Sequence, residues 1–96
     1  MQESKPASSQ DSEVIALKTL VFLTTDAERL DRFLDLTGLT YDVIRSQAAD
    51  PAFLAGVLDH LLSDQTLLFL FAESEGLAPQ QVERARSHLP GFRHDL

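Results

Sequence analysis

Cysteine is absent from the 96 residues, which excludes disulfides, thiolate metal sites and a cysteine nucleophile without fixing a compartment. Glycine occurs only four times, so there is no glycine-rich loop to cradle a phosphate. The longest fully apolar run, Leu67 to Ala72, falls far short of the roughly 20 residues that a membrane-spanning helix needs. The opening MQESKPASSQDSE has neither a basic start nor an apolar segment and does not read as a secretory signal. Nowhere do apolar and polar residues alternate over a sustained stretch, so no β-sheet is predicted. Bases are also scarce: eight stand against fifteen acids, for a net charge of -7.

The remaining composition, 44% hydrophobic and 24% charged with a mean hydropathy of -0.07, is that of an ordinary globular chain and excludes collagen-like or wholly disordered classes. A chain of this length makes one small domain, burying roughly 65% of its unfolded surface. The charge imbalance has a place: from Asp26 to Glu75 there are ten acids and three bases, whereas the remainder balances. Such an acidic middle repels phosphate backbones and anionic lipid, so nucleic-acid and membrane partners are disfavoured. A soluble, cytoplasmic protein is the expectation.

Residues 1–11 are polar and include Pro6, too poor in apolar groups to offset the entropy of ordering, and are expected to be a disordered N-terminal tail. Residues 12–90 are expected to form a single all-α domain, with a C-terminal tail at 91–96. Helix punctuation recurs through it. Ser12 would cap a first helix running to about Thr24, and Thr25 with Glu28 would cap a second. Gly38, followed by Leu39, supplies a left-handed stop. Thr40 caps a third helix, Tyr41 to Ala49. Asp50 before Pro51 opens a fourth that runs to about Leu62, because proline at the first helical position loses no hydrogen bond. Ser63 would cap a fifth, ended by Gly76 and Leu77, and Pro79 opens a sixth that fades near Leu89, before Pro90 and Gly91.

Displaced by 38 residues, the sequence falls on itself. Leu20 meets Leu58, Leu23 meets Leu61, Asp26 meets Asp64, Phe33 meets Phe71, Gly38 meets Gly76 and Ile44 meets Val82. The pattern predicts a compact bundle of six short helices built as two related three-helix halves with approximate two-fold symmetry.

The copies differ in what they leave apolar. Helix 2 carries one stripe, Leu30, Phe33 and Leu34, with charges elsewhere. Helix 5 keeps the stripe in Leu68, Phe71 and Ala72 but has Leu67, Phe69 and Leu70 where helix 2 has Arg29, Asp31 and Arg32. Conversely, Val21 and Phe22 of helix 1 stand opposite Asp59 and His60 of helix 4. Either Val21 and Phe22 cover helix 5 inside the monomer and make it the central helix, or some of Val21, Phe22, Phe69 and Leu70 form an outward interaction face.

Chemistry is thinly represented. His60 and Asp64 are four apart, a spacing compatible with two metal ligands, but no third ligand is suggested and His60 reads as a boundary histidine near a carboxylate. His88 and His94 lie near the chain end. No nucleophile elbow or HExxH helix occurs. The chain is therefore expected to be neither an enzyme nor a cofactor or metal binder. An alternative is a helix-turn-helix unit with DNA as partner. Ala72, Gly76 and Val82 fit that spacing, and Pro79 to His88 would present Gln80, Gln81, Arg84 and Arg86 to base edges. The acidic body and the two lysines in the chain weigh against it.

The segments FLDLTGL from Phe33, ADPAFL from Ala49, VLDHLL from Val57 and GLAPQQV from Gly76 together resemble a family of short bacterial proteins known as domain of unknown function family 3572. The resemblance covers nearly all of Val14 to Leu89. It implies a compact helical domain and no activity, substrate or cofactor. It also suggests a capping residue before Pro79, where Ala78 is a poor cap. The sequence thus favours a non-enzymatic protein-interaction or adaptor module, docking an unknown protein partner or a second copy of itself.

Overall fold

The computed structural model describes residues 9–91, which form six helices and, among the described residues, no strand. In chain order these are α1 (Ser9–Thr24), α2 (Ala27–Thr37), α3 (Tyr41–Gln47), α4 (Pro51–Leu62), α5 (Gln65–Glu75) and α6 (Pro79–Ser87). The all-α expectation is met. Residues 1–8 and 92–96, which carry most of the two expected tails and His94, lie outside the described residues. Because α1 begins at Ser9, Ser12 is not its cap but sits inside the helix, fully buried. α3 stops at Gln47 rather than Ala49.

Two caps fall one residue later than the sequence suggests, for the same reason in both halves. Asp26, not Thr25, caps α2: its carboxylate accepts the N–H groups of Glu28 at 2.9 Å and Arg29 at 3.2 Å. Asp64, not Ser63, caps α5 and accepts from the N–H of Leu67 at 3.1 Å. A carboxylate at a helix N-terminus makes charge-assisted bonds and faces the positive end of the helix dipole, so it outcompetes a hydroxyl. The displaced hydroxyls close the preceding helices instead, Thr25 donating to the Phe22 carbonyl at 2.9 Å and Ser63 to that of His60 at 2.7 Å. Thr40 caps α3 as expected, accepting from Val43 N–H at 3.3 Å. At α6 the weak cap Ala78 is compensated by Gln81, whose Oε1 accepts from the Ala78 N–H at 2.8 Å.

The helix at the centre is α4, not α5. Leu54, Ala55, Val57, Leu58, His60 and Leu61 of α4 are all buried. α1 packs along α4, and α5 and α6 close other sides of it. One apolar cluster joins α1, α4, α5 and α6 around Leu58, Leu61, Phe71 and Val82. A second joins α1, α2, α3 and α4 around Leu23, Leu30, Phe33 and Val57. Phe22, Phe53 and Leu67, each partly buried, pack against both. The radius of gyration, 13.2 Å, is that of a compact chain of this size.

Residues 38 apart often share an environment. Leu20 and Leu58, Leu23 and Leu61, Leu30 and Leu68, and Phe33 and Phe71 are buried pair by pair. Gly38 and Gly76 end their helices at φ 75° and 68°. Phe22 meets Phe71 edge-on at 5.3 Å, and His60, the counterpart of Phe22, meets Phe33, the counterpart of Phe71, edge-on at 4.8 Å. The third helices diverge. α6 buries Val82, Ala85 and Arg86 and packs on α1, α4 and α5, whereas α3 is shorter and buries Ile44 alone.

Two glycines set up opposite expectations. Gly76 needs its left-handed backbone, a region that costs an L-residue about 1–2 kcal/mol. Gly56 lies within α4, and a Cβ placed there would meet nothing within 4 Å. Alanine should therefore replace it without strain and gain up to about 1 kcal/mol of helix propensity. In urea denaturation, Gly76→Ala should lower stability by about 1–2 kcal/mol and Gly56→Ala should raise it. Equal effects would contradict the two backbone assignments.

Candidate interaction surface

The four apolar face candidates separate on the structure. Val21 is 59% exposed, Phe69 50% and Leu70 47%. Phe22, by contrast, is partly buried: it lies edge-on to Phe71 and beneath the Arg29 guanidinium, 4.0 Å from the ring centre. Arg29 Nη1 also donates to the Phe22 carbonyl at 3.3 Å. Phe22 thus covers helix α5 from within, Leu67 is half-buried between the clusters, and Phe69 with Leu70 faces outward. The reading that all of these apolar groups hide inside the monomer does not hold, since α4 already occupies the centre.

Val14 and Leu17, which the sequence reading passed over, join Val21 outside. All three are at least 40% exposed and stand at i, i+3 and i+7, so they form a stripe on the outer face of α1. The signal was present in that spacing. It was masked because the other face of α1, with Ala16, Leu20 and Leu23, is equally apolar and is the one that is buried.

The α6 candidates for reading DNA are also divided. Arg86 is buried; its Nε donates to Asp59 Oδ1 at 2.6 Å and its Nη2 to Asp59 Oδ2 at 3.2 Å, a two-pronged pairing. Its Nη1 donates to the carbonyls of Leu89 at 3.3 Å and Pro90 at 3.1 Å. A guanidinium so engaged ties the Leu89–Pro90 segment after α6 to α4 and does not reach a base edge. The Gln81 side chain is the helix cap. Gln80 and Arg84 are exposed. Arg86 lies on the stripe formed by Val82, Ala85 and Leu89, which is the sequence sign of its burial.

His60 is buried rather than at a boundary, only 8% exposed, and its Nε2 has no hydrogen-bond partner. Burial pushes its pKa below the usual histidine value; Asp64 opposes this and Arg32 adds to it. The imidazole therefore packs as a neutral ring. The Asp64 carboxylate is occupied as the α5 cap, and the described residues hold no group of three histidine or carboxylate side chains suited to a metal. Among the described residues no single helix is long and apolar enough to cross a membrane.

A family model described as a protein of unknown function, DUF3572, matches residues 9–92. No curated protein and no solved structure matches the chain.

Asp59→Ala removes the carboxylate that Arg86 Nε and Nη2 grip, so it should lower unfolding free energy by about 1–3 kcal/mol. Breaking the exposed Asp42–Arg45 pair, 3.6 Å apart, with Asp42→Ala should change it by no more than about 0.5 kcal/mol. Comparable losses would mean that the Asp59–Arg86 pair is an ordinary surface contact. For His60 the unfolded chain binds the proton more readily than the fold, so stability falls as pH drops below about 6.5. His60→Phe should flatten that decline between neutrality and the carboxylate range in thermal melts. An unchanged slope would show that the ring is not held neutral by burial.

Proposed function

Because the chain belongs to the DUF3572 family, which brings no activity with it, we propose from its surface that it is a non-enzymatic, cytoplasmic protein-interaction module that pairs with a second copy or a protein partner. The observation that carries this reading is the outward placement of Val14, Leu17 and Val21 on α1 and of Phe69 and Leu70 on α5, each between 40% and 59% exposed. A small domain with a thin core gains stability from every apolar side chain it can enclose. Leaving five of them in water is the pattern of a surface meant to be covered. Glu73, exposed on α5 at i+4 from Phe69, begins an acidic rim that would orient a partner.

The internal duplication belongs to the same proposal. It is supported by the paired caps Asp26 and Asp64, the paired stops Gly38 and Gly76, and the reciprocal ring contacts Phe22–Phe71 and His60–Phe33. In this reading a copied three-helix unit kept its inner positions and diverged on its outer ones. Phe69 and Leu70 stand where the first copy has the charged Asp31 and Arg32.

Light scattering over a concentration series, with pull-down from cell extract, tests the interaction reading. Val21→Asp and Phe69→Asp should keep the helical spectrum and shift unfolding by no more than about 0.5 kcal/mol, because both sites are half exposed. Each should weaken association about tenfold or more. A protein that stays monomeric when concentrated, and whose variants recover the same proteins as the wild type, would overturn it.

A further inference from the structure

The two apolar clusters differ in the helices they need. The first, around Leu58, Leu61, Phe71 and Val82, draws on α1, α4, α5 and α6 and takes no residue from α2 or α3. The second holds α2 and α3 in place, setting Leu30, Phe33 and Ile44 against Leu23 of α1 and Val57 of α4. α4 packs broadly on α1, α5 and α6, whereas α2 packs broadly on α1 alone and α3 on no other helix. Four helices therefore enclose a core of their own, and the α2–α3 segment is laid against them between two short connections, residues 25–26 and 48–50.

His60 stands at that joint. Its ring is buried, meets Phe33 of α2 edge-on at 4.8 Å, and leaves Nε2 without a hydrogen-bond partner among the described residues. A neutral imidazole tolerates this, because its proton can reside on Nδ1 and leave Nε2 bare. An imidazolium does not: both nitrogens then carry N–H, and a buried donor on a charged ring has no acceptor. The charges that act on the ring do not rescue it. Arg32 of α2 repels an imidazolium, and Asp64 attracts one but has its carboxylate engaged as the cap of α5. Burial outweighs Asp64 and keeps the pKa below the usual histidine value. Elsewhere on these helices, Lys18 of α1 pairs with Glu75, Arg86 of α6 with Asp59 and Asp42 with Arg45 of α3. Arg29 covers the Phe22 ring, and Glu28, Asp31 and Asp35 of α2 are exposed.

We propose that His60 is an acid-sensitive latch: a proton taken up at its buried Nε2 releases α2 and α3 from α4, while α1, α5 and α6 stay packed around that helix. The ring's neighbour Phe33 belongs to the segment that the first cluster does without, so water reaches the charged ring without breaking that cluster. Release uncovers Phe33 and Ile44 on one side and Leu23 and Val57 on the other, and so turns a pH change into newly exposed apolar surface. The latch is independent of the interaction-module reading, since Val21 and Phe69 take no part in it.

Hydrogen exchange of the full chain at about pH 7.5 and about pH 5 tests the latch, with each amide's rate divided by its intrinsic rate at that pH. Unperturbed histidine titrates between these values and unperturbed carboxylates below them. Amides of α2 and α3 should be less protected than those from Leu54 to Leu61 at both values. At the lower one they should lose about fivefold or more of their protection, because their opening takes up the His60 proton. His60→Phe should abolish that loss, and Asp26→Asn, which keeps a capping side chain on α2, should retain it. Should the phenylalanine variant fail to fold, the wild-type imidazole resonances decide: they should titrate below the usual histidine midpoint, together with the α2 amide shifts. A pH response confined to amides that exchange by global unfolding would overturn the proposal, as would α2 protection equal to that of α4. Loss of the response in Asp26→Asn, or an imidazole that titrates without moving the α2 shifts, would overturn it too.

Discussion

Enclosure of α4 is the constraint from which the rest of the structure follows. Leu54, Val57, Leu58 and Leu61 are each no more than 1% exposed, and Ala55 and His60 widen the buried arc. A helix apolar over so much of its circumference has to be surrounded. Its walls are the short neighbouring helices. α1 lies along one side, α5 and α6 close others, and α2 with α3 completes the second cluster through Phe33 and Ile44. The Asp59–Arg86 pair then fastens the C-terminal end of α6 to the wetter side of α4.

That arrangement explains why apolar groups remain outside. Once α4 holds the centre, α1 and α5 each turn one face to it and have an opposite face with nothing to meet. On α2 and α6 the opposite face is mostly polar or charged, with Leu36 of α2, 64% exposed, the exception. On α1 and α5 it is Val14, Leu17, Val21, Phe69 and Leu70. A cleft lined by Phe33, Thr37, Phe53 and Gly56 lies where α2 approaches α4. The exposed apolar groups and the cleft are thus two consequences of surrounding one helix with others too few and too short to shield everything.

Much of the fold was legible because helix ends are chemically marked. Glycine stops at 38 and 76, proline starts at 51 and 79, and the stripes of Leu30 with Phe33 and Leu68 with Phe71 all lie where spacing placed them. Cap identity was off by one residue at Thr25 and Ser63 because a neighbouring aspartate competes for the same N–H groups, and that competition depends on local geometry. The start of α1 was misplaced because Ser12 resembles a cap in sequence but is enclosed by tertiary packing.

The site was less readable, for a different reason. Val21 and Leu23 are chemically alike, and only the position of α4 makes one exposed and the other buried. Periodicity gives faces but does not rank two apolar faces of one helix. Arg86 and the Gly56 cleft were recoverable in part. The first lies on a stripe with Val82 and Ala85, and the second stands where a 38-residue offset of the sequence sets glycine against lysine and threonine against glutamate.

Native-state hydrogen exchange of the full chain is the most direct measure of whether α4 organises the molecule. Amides from Leu54 to Leu61 should open only with global unfolding, those of the facing part of α1 should behave alike, and α3, held chiefly by Ile44, should exchange through a smaller local opening. Protection in α3 equal to that in α4, or local opening of α4 ahead of its neighbours, would contradict a fold built around that helix.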